Sequence, residues 1–124
     1  MVQGKFAICR LAPDVAIPAW AIRPGNFSSL SRTDDERSIV CAEEFVPTDI
    51  KADRGWKCFK LQGPISFSET VVLSSFLRPL SEHAIPIFAI STFDTDYVLV
   101  KDEFGVRALA VLRKARHRLI AEST

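Results

Sequence analysis

The chain has 124 residues, 48% of them hydrophobic, and its 16 Lys and Arg stand against 15 Asp and Glu for a formal net charge of +1. A disordered segment would pair low hydrophobicity with high net charge, so this composition describes a folding chain, and one of this size needs no disulfide or metal staple. The balance removes the electrostatic footprint of a nucleic-acid binder and argues against a polybasic membrane anchor. Residues 1–62 hold 9 basic and 8 acidic side chains and residues 63–124 hold 7 and 7, so neither half differs.

The N-terminus runs from Met-Val-Gln-Gly-Lys into a strand-like stretch, Phe6-Ala7-Ile8-Cys9, broken by Arg10, and no signal peptide is expected. No run approaches the ~18 apolar residues of a membrane span. Pro18, Pro24 and Gly25 leave little room for a helix around 19–23. Strand-like residues follow on both sides of Thr33-Asp34-Asp35-Glu36, and Val46-Pro47 truncates any helix begun at Glu43-Glu44-Phe45. Trp56-Lys57-Cys58-Phe59-Lys60-Leu61 reads as a strand ended by the turn Gly63-Pro64.

A helix is predicted over 67–83. Ser66-Phe67-Ser68-Glu69 is a capping box, and Leu73, Phe76, Leu77, Leu80 and Ala84 form one apolar face. Pro79 removes a hydrogen bond to the carbonyl of Ser75, which predicts a kink or an early end. Strands over 85–90 and 97–100 form an antiparallel pair about the turn formers between them, with Pro86 tolerated near a strand start. A second helix over 102–115 buries Phe104, Ala108, Leu109, Val111, Leu112 and Ala115. Its acidic start at Asp102-Glu103 and basic end at Arg113-Lys114 match the macrodipole, and Arg116 and Arg118 extend that basic end. A last short strand is expected over 117–121.

The halves echo one another. Leu30 to Val40 lies against Ile90 to Val100 at an offset of 60, and one residue of slippage then aligns Glu43-Glu44-Phe45 with Asp102-Glu103-Phe104. The expected architecture is α+β: two ferredoxin-like βαββαβ modules, residues 1–53 with shortened helices and residues 54–124 complete, forming antiparallel sheets with helices on one face.

Two strings carry a family resemblance: Arg54-Gly55-Trp56-Lys57-Cys58-Phe59-Lys60-Leu61-Gln62-Gly63-Pro64, and the segment from Ile87 to Lys101 that includes Ser91-Thr92-Phe93-Asp94-Thr95-Asp96-Tyr97. Over about residues 54–115, and more loosely over 5–50, the chain resembles the small tandem ACT-domain proteins, related to the ACT modules of aspartokinases and to the CASTOR-type arginine sensors. That resemblance implies amino-acid binding at interfaces between paired modules, where a first strand turns into a first helix. By position the loop is Gly63, Pro64, Ile65, Ser66 and Phe67. Family members commonly join such modules to a catalytic or DNA-binding domain, and 124 residues leave no room for one.

The residues themselves make physical sense of such a site. Gly63 lets the backbone approach a ligand, and the free amides that open the following helix suit an α-carboxylate; the same loop also reads as an ordinary strand-to-helix turn capped by Ser66. Asp94 and Asp96 would hold an α-ammonium or a cationic side chain, or else serve as turn formers, and the hydroxyls of Ser91 and Thr92 would reach a ligand or cap the turn. Trp20 and Trp56 read as core or interface residues.

No catalytic residues, metal ligands or cofactor are expected. His83 and His117 are isolated, and there is no P-loop, GxGxxG or nucleophile elbow. Cys9, Cys41 and Cys58, odd in number and set in apolar runs, read as reduced buried thiols, with the cytoplasm as the default compartment. The expected function is a non-catalytic amino-acid-binding regulatory module, a homodimer with neither nucleic-acid nor membrane partners. The alternative is a module without a ligand that serves protein interaction.

Overall fold

The computed structural model describes residues 2–61 and 77–114. The first half contributes β1 (Val2–Leu11), a 3-10 turn (Ala19–Ile22), β2 (Ser29–Arg32), β3 (Arg37–Ala42) and a second 3-10 turn (Glu43–Phe45). The second half contributes β4 (Ala52–Leu61), helical residues 77–82 (α1), β5 (Ile87–Ser91), β6 (Asp96–Lys101), a third 3-10 turn (Asp102–Phe104) and α2 (Gly105–Lys114). The strands make one sheet in the order β2-β3-β1-β4-β6-β5, every neighbouring pair antiparallel.

Each half is thus a three-stranded unit, and the two are fused edge to edge through β1 and β4 into a single sheet rather than two. The fourth strand expected for the second half, at 117–121, lies outside the described residues, as do Leu73, Phe76, Ala115, His117 and the Ser66 capping box. Among the described residues no helix is long and apolar enough to cross a membrane.

The repeat is more regular than the sequence comparison at offset 60 implies. Phe6 to Leu11 pair with Ala42 to Arg37, and Trp56 to Leu61 pair with Lys101 to Asp96 in the same register. The outer strands follow suit, since Arg32 faces Arg37 while Ser91 faces Asp96. The first strands are therefore related by 50 positions and the hairpins by 59, and the offset of 59 runs unbroken through the acidic 3-10 turns. No slippage is needed. The offset of 60 aligned similar hydrophobic residues on neighbouring positions; backbone pairing corrects it, because a one-residue shift exchanges the faces of a strand.

The same turn closes both hairpins. The Thr33 amide donates to the Glu36 carbonyl at 2.8 Å and its hydroxyl accepts from the amides of Asp35 and Glu36 at 3.1 and 3.2 Å. At the equivalent position the Thr92 amide donates to the Thr95 carbonyl at 2.8 Å, and its hydroxyl also donates to that carbonyl at 2.8 Å. These hydroxyls satisfy main-chain groups that the ladder leaves free.

One face of the sheet is covered by the helical elements. Over the second half Leu80 of α1 and Ala108 and Leu112 of α2 pack on Phe59, Leu61, Val98 and Val100. Over the first half Ala21, Val46 and Ile50 pack on Ala7, Cys9, Ile39 and Cys41. Short 3-10 turns suffice there because the prolines stop each helix at its first turn. The opposite face carries Val2, Phe6, Val40, Trp56, Cys58 and Leu99, with Phe27 laid edge-on to Phe6 at 6.0 Å and tilted against Tyr97 at 4.3 Å. Trp56 is a core residue and Trp20 packs against the first-half core.

Two expectations at the end of α1 are corrected. The described part of the helix runs through Pro79 to residue 82, close to the expected end at 83, but Ile85 closes it instead of opening β5 and Ala84 leaves its apolar face. The Ile85 amide reaches back to the Leu80 carbonyl and the Ala84 amide to the Ser81 carbonyl, both at 3.0 Å, in the Schellman pattern. Leu80 and Ile85 meet in the core beneath it. Ala84 is then exposed at φ +56° and belongs to no apolar face. An L-residue in that conformation is strained by about 1–2 kcal/mol, part of which glycine returns as unfolded-chain entropy. Ala84→Gly is expected to raise stability by about 0.5–1 kcal/mol in urea denaturation, whereas Phe59→Ala, opening the packed core beneath α1 and α2, should cost about 3–5 kcal/mol.

Candidate functional site

The end of the sheet formed by β4, β6 and β5 is where the sequence places a ligand. Gly63, Pro64, Ile65, Ser66 and Phe67 lie outside the described residues. The other four surround the β5–β6 turn, and their environments differ sharply. Ser91, Thr92 and Asp94 are exposed, beside Phe93 at 94% exposure, and the Thr92 hydroxyl is engaged within the turn. Asp96 is 5% exposed, the one buried charged residue among those described. It sits opposite Leu61, the last residue of β4, from which the chain runs into 62–67. Among the described residues no donor meets its carboxylate.

A second feature spans the middle of the sheet. The pairings Ala42–Phe6, Phe6–Trp56 and Trp56–Lys101 set four residues in one row across β3, β1, β4 and β6. At the second-half end of the row, the Lys101 ammonium lies against the Asp53 carboxylate, donates to the Arg54 carbonyl at 2.7 Å and stands 5.2 Å from the Trp56 ring centroid. At the first-half end Ala42 leaves an open cleft of about 440 Å³, lined by residues 3–6, 24–26 and 42–45. Gly4 in its wall has φ +92° and open space where a Cβ would point.

The acidic 3-10 turns tie the halves together across this row. Glu43 Oε1 accepts the Gly55 amide at 2.7 Å. Its equivalent Asp102 pairs with Lys5 at 3.2 Å and Lys57 at 3.9 Å. Each turn thereby reaches the first strand of the other half. No sequence motif marks the cleft; its trace is an alanine at the position equivalent to Lys101, visible once the offset of 59 is known.

Other chemistry is sparse. His83 caps α1, its ring Nδ1 lying 2.8 Å from the Pro79 carbonyl, and the described residues contain no group of three His, Cys, Asp or Glu able to hold a metal. All three cysteines are buried, and none forms a disulfide. Cys9 and Cys41 hydrogen-bond one another: that bond and then burial push the Cys41 thiol up, while the same bond pulls Cys9 down from the ordinary value.

Residues 51–114 match the sequence family described as the ACT domain, and residues 4–49 match one described as an N-terminal domain. A crystal structure of a protein from Agobacterium tumefaciens is 45% identical, with a TM-score of 0.91 over 99% of this chain and 91% of that one. A protein of unknown function from Vibrio cholerae, described as a possible transport protein, is 17% identical with a TM-score of 0.72 over 91% and 84%. The aspartate kinase of Clostridium acetobutylicum is 10% identical, with a TM-score of 0.63 over 91% of this chain and 33% of the enzyme. No functionally curated protein matches the chain.

Because burial and the mutual hydrogen bond keep the Cys41 thiol protonated and out of reach, a disulfide reagent such as DTNB should not modify it in the native protein even near pH 9, the ordinary thiol value. All three thiols should react on denaturation.

Proposed function

The chain belongs to the ACT-domain family, and on that premise we propose that it is a non-catalytic regulatory module that binds an amino acid at an interface between ACT units. The units are the halves 1–53 and 54–124, and two copies of the chain supply the interface as a homodimer. The β2 and β5 edges and the exposed Phe93 offer surface for that pairing. The buried thiols suit a reducing, cytoplasmic compartment.

The observation that carries the reading is Asp96, a buried carboxylate beside the end of β4 that meets no donor among the described residues. An α-ammonium or a cationic side chain would supply the missing charge, with bonds to charged groups worth about 1.5–3 kcal/mol each. Gly63, Pro64, Ile65, Ser66 and Phe67 would form the adjoining wall, with the free amides that open the expected helix receiving the α-carboxylate, and Ser91, Thr92 and Asp94 its rim. Binding would favour one relative arrangement of the units, and so act by population shift. A ligand-free interaction module is the competing reading; Phe93, almost wholly exposed at the hairpin tip, favours it.

A thermal-shift screen of the common amino acids tests the proposal. A ligand at 100 times its Kd should stabilise the fold by about 2.7 kcal/mol, and Asp96→Asn should weaken binding by tenfold or more while the protein stays folded. Silence for every amino acid at millimolar concentration, together with a stoichiometric partner recovered on the immobilised protein, would replace ligand sensing by interaction.

A further inference from the structure

We propose that the cleft beside Ala42 is a second, separate binding site, which takes the primary ammonium end of a small alkylammonium ligand. The template is the protein's own second half. In the row Ala42–Phe6–Trp56–Lys101, the two outer positions are equivalent by register, as are the two aromatic ones. One end holds a built-in alkylammonium group: the Lys101 ammonium stands over the Trp56 ring and meets a main-chain carbonyl and a carboxylate. At the other end the aromatic ring is Phe6, the side chain is cut back to a methyl group, and about 440 Å³ stands open.

The aromatic ring and the main-chain segment that serve the ammonium in the second half have counterparts in the first, whereas the position equivalent to Asp53 is Gln3, which carries no charge. An aromatic face attracts a cation through its quadrupole, and Phe6 replaces Trp56. The segment before Trp56 supplies the carbonyl acceptor, and the segment before Phe6 lines the cleft, where Gly4 leaves the main chain unshielded by any Cβ. Charge in the cleft comes from a different source, the 3-10 turn: Glu43 and Glu44 line it, and the Glu43 Oε1 accepts the Gly55 amide. Two cations stand nearby, and both are engaged. Lys5 is paired with Asp102, and the Arg23 guanidinium stacks 4.3 Å from the Phe45 ring centroid. Glu44, exposed and without an ion-pair partner among the described residues, remains to face a cation.

The site is independent of Asp96, which lies at the far end of its strand from Lys101. Its ligand class is correspondingly narrow: an unbranched chain ending in a primary ammonium, as in a diamine or the side chain of a basic amino acid. A quaternary or branched amine would lack the N–H donors or the slim stem that Lys101 uses.

The test uses cadaverine (1,5-diaminopentane) as probe, titrated into the full-length, uniformly 15N-labelled protein and followed by amide chemical shifts. Saturable shifts are expected at Gly4, Phe6, Ala42 and Glu44, with a Kd on the order of 1 mM, as suits a ligand of so few heavy atoms. Ala42→Lys, which would place an ammonium in the cleft from within, should abolish them. Glu44→Gln, at an exposed position that carries no packing, should weaken binding several-fold, and Asp96→Asn should leave it unchanged. Tetramethylammonium should cause no such shifts. The proposal is overturned if cadaverine gives no saturable shifts, if they centre on the 91–96 turn, or if the Ala42→Lys and Glu44→Gln proteins both bind as the parent does.

Discussion

The structure depends on one seam, the antiparallel pairing of β1 with β4, where Phe6 faces Trp56. Remove that pairing and each half is a three-stranded sheet with an open central edge, and such edges do not persist unpaired. The seam is irregular, its register shifting on both sides of the Phe6–Trp56 pair, and Gly4 and Gly55 lie next to it with φ of +92° and +80°. Bulges of this kind raise local twist and bend the strand. Here they also turn main-chain groups toward the opposite half: the Gly55 amide is the donor that Glu43 accepts. Aromatic burial, bulge and carboxylate contact therefore cooperate at one place, and the approximate twofold relation of the halves follows from it.

Around that seam the halves have been treated differently. Leu80, Ala108 and Leu112 cover the second half with helices, whereas Ala21 and Val46 do the corresponding work from short 3-10 turns. The smaller cover suits smaller residues beneath: Ala7, Cys9 and Cys41 in the first half against Lys57, Phe59 and Val100 at the equivalent positions of the second. Shortened helices and a shallower core are two aspects of one volume constraint, since an interior packed to crystal density cannot lose its cover and keep its large side chains.

Much of this was legible in the sequence. The strand pairs, the proline-truncated helices, the repeat, the buried cysteines and the ACT-type resemblance rest on local patterns that tertiary contacts reinforce. The joining of the halves into one sheet was not legible, because β1 and β4 are both apolar on two faces and nothing local says which edge each one presents. The offset of 59 was hidden for a related reason. Hydrophobic identity scores Ile90 with Leu30, while pairing equates the threonine hydroxyls of Thr33 and Thr92, a signal of turn geometry rather than of polarity. The Schellman closure at Ala84 was missed because its usual glycine is absent.

The register relation extends to charge. Arg37 and Asp96 occupy equivalent positions, at the start of the inner strand of each hairpin. Asp96 is buried, and the Arg37 Nε is buried without a hydrogen-bond partner. Two geometrically equivalent ends of one sheet thus carry residues of opposite charge, Asp96 buried and Arg37 half-buried. A duplication that served packing alone would tolerate apolar residues at both places, at no desolvation cost. Opposite charges instead make the two ends chemically distinct. The near-zero net charge of the whole is the sum of these local imbalances rather than their absence.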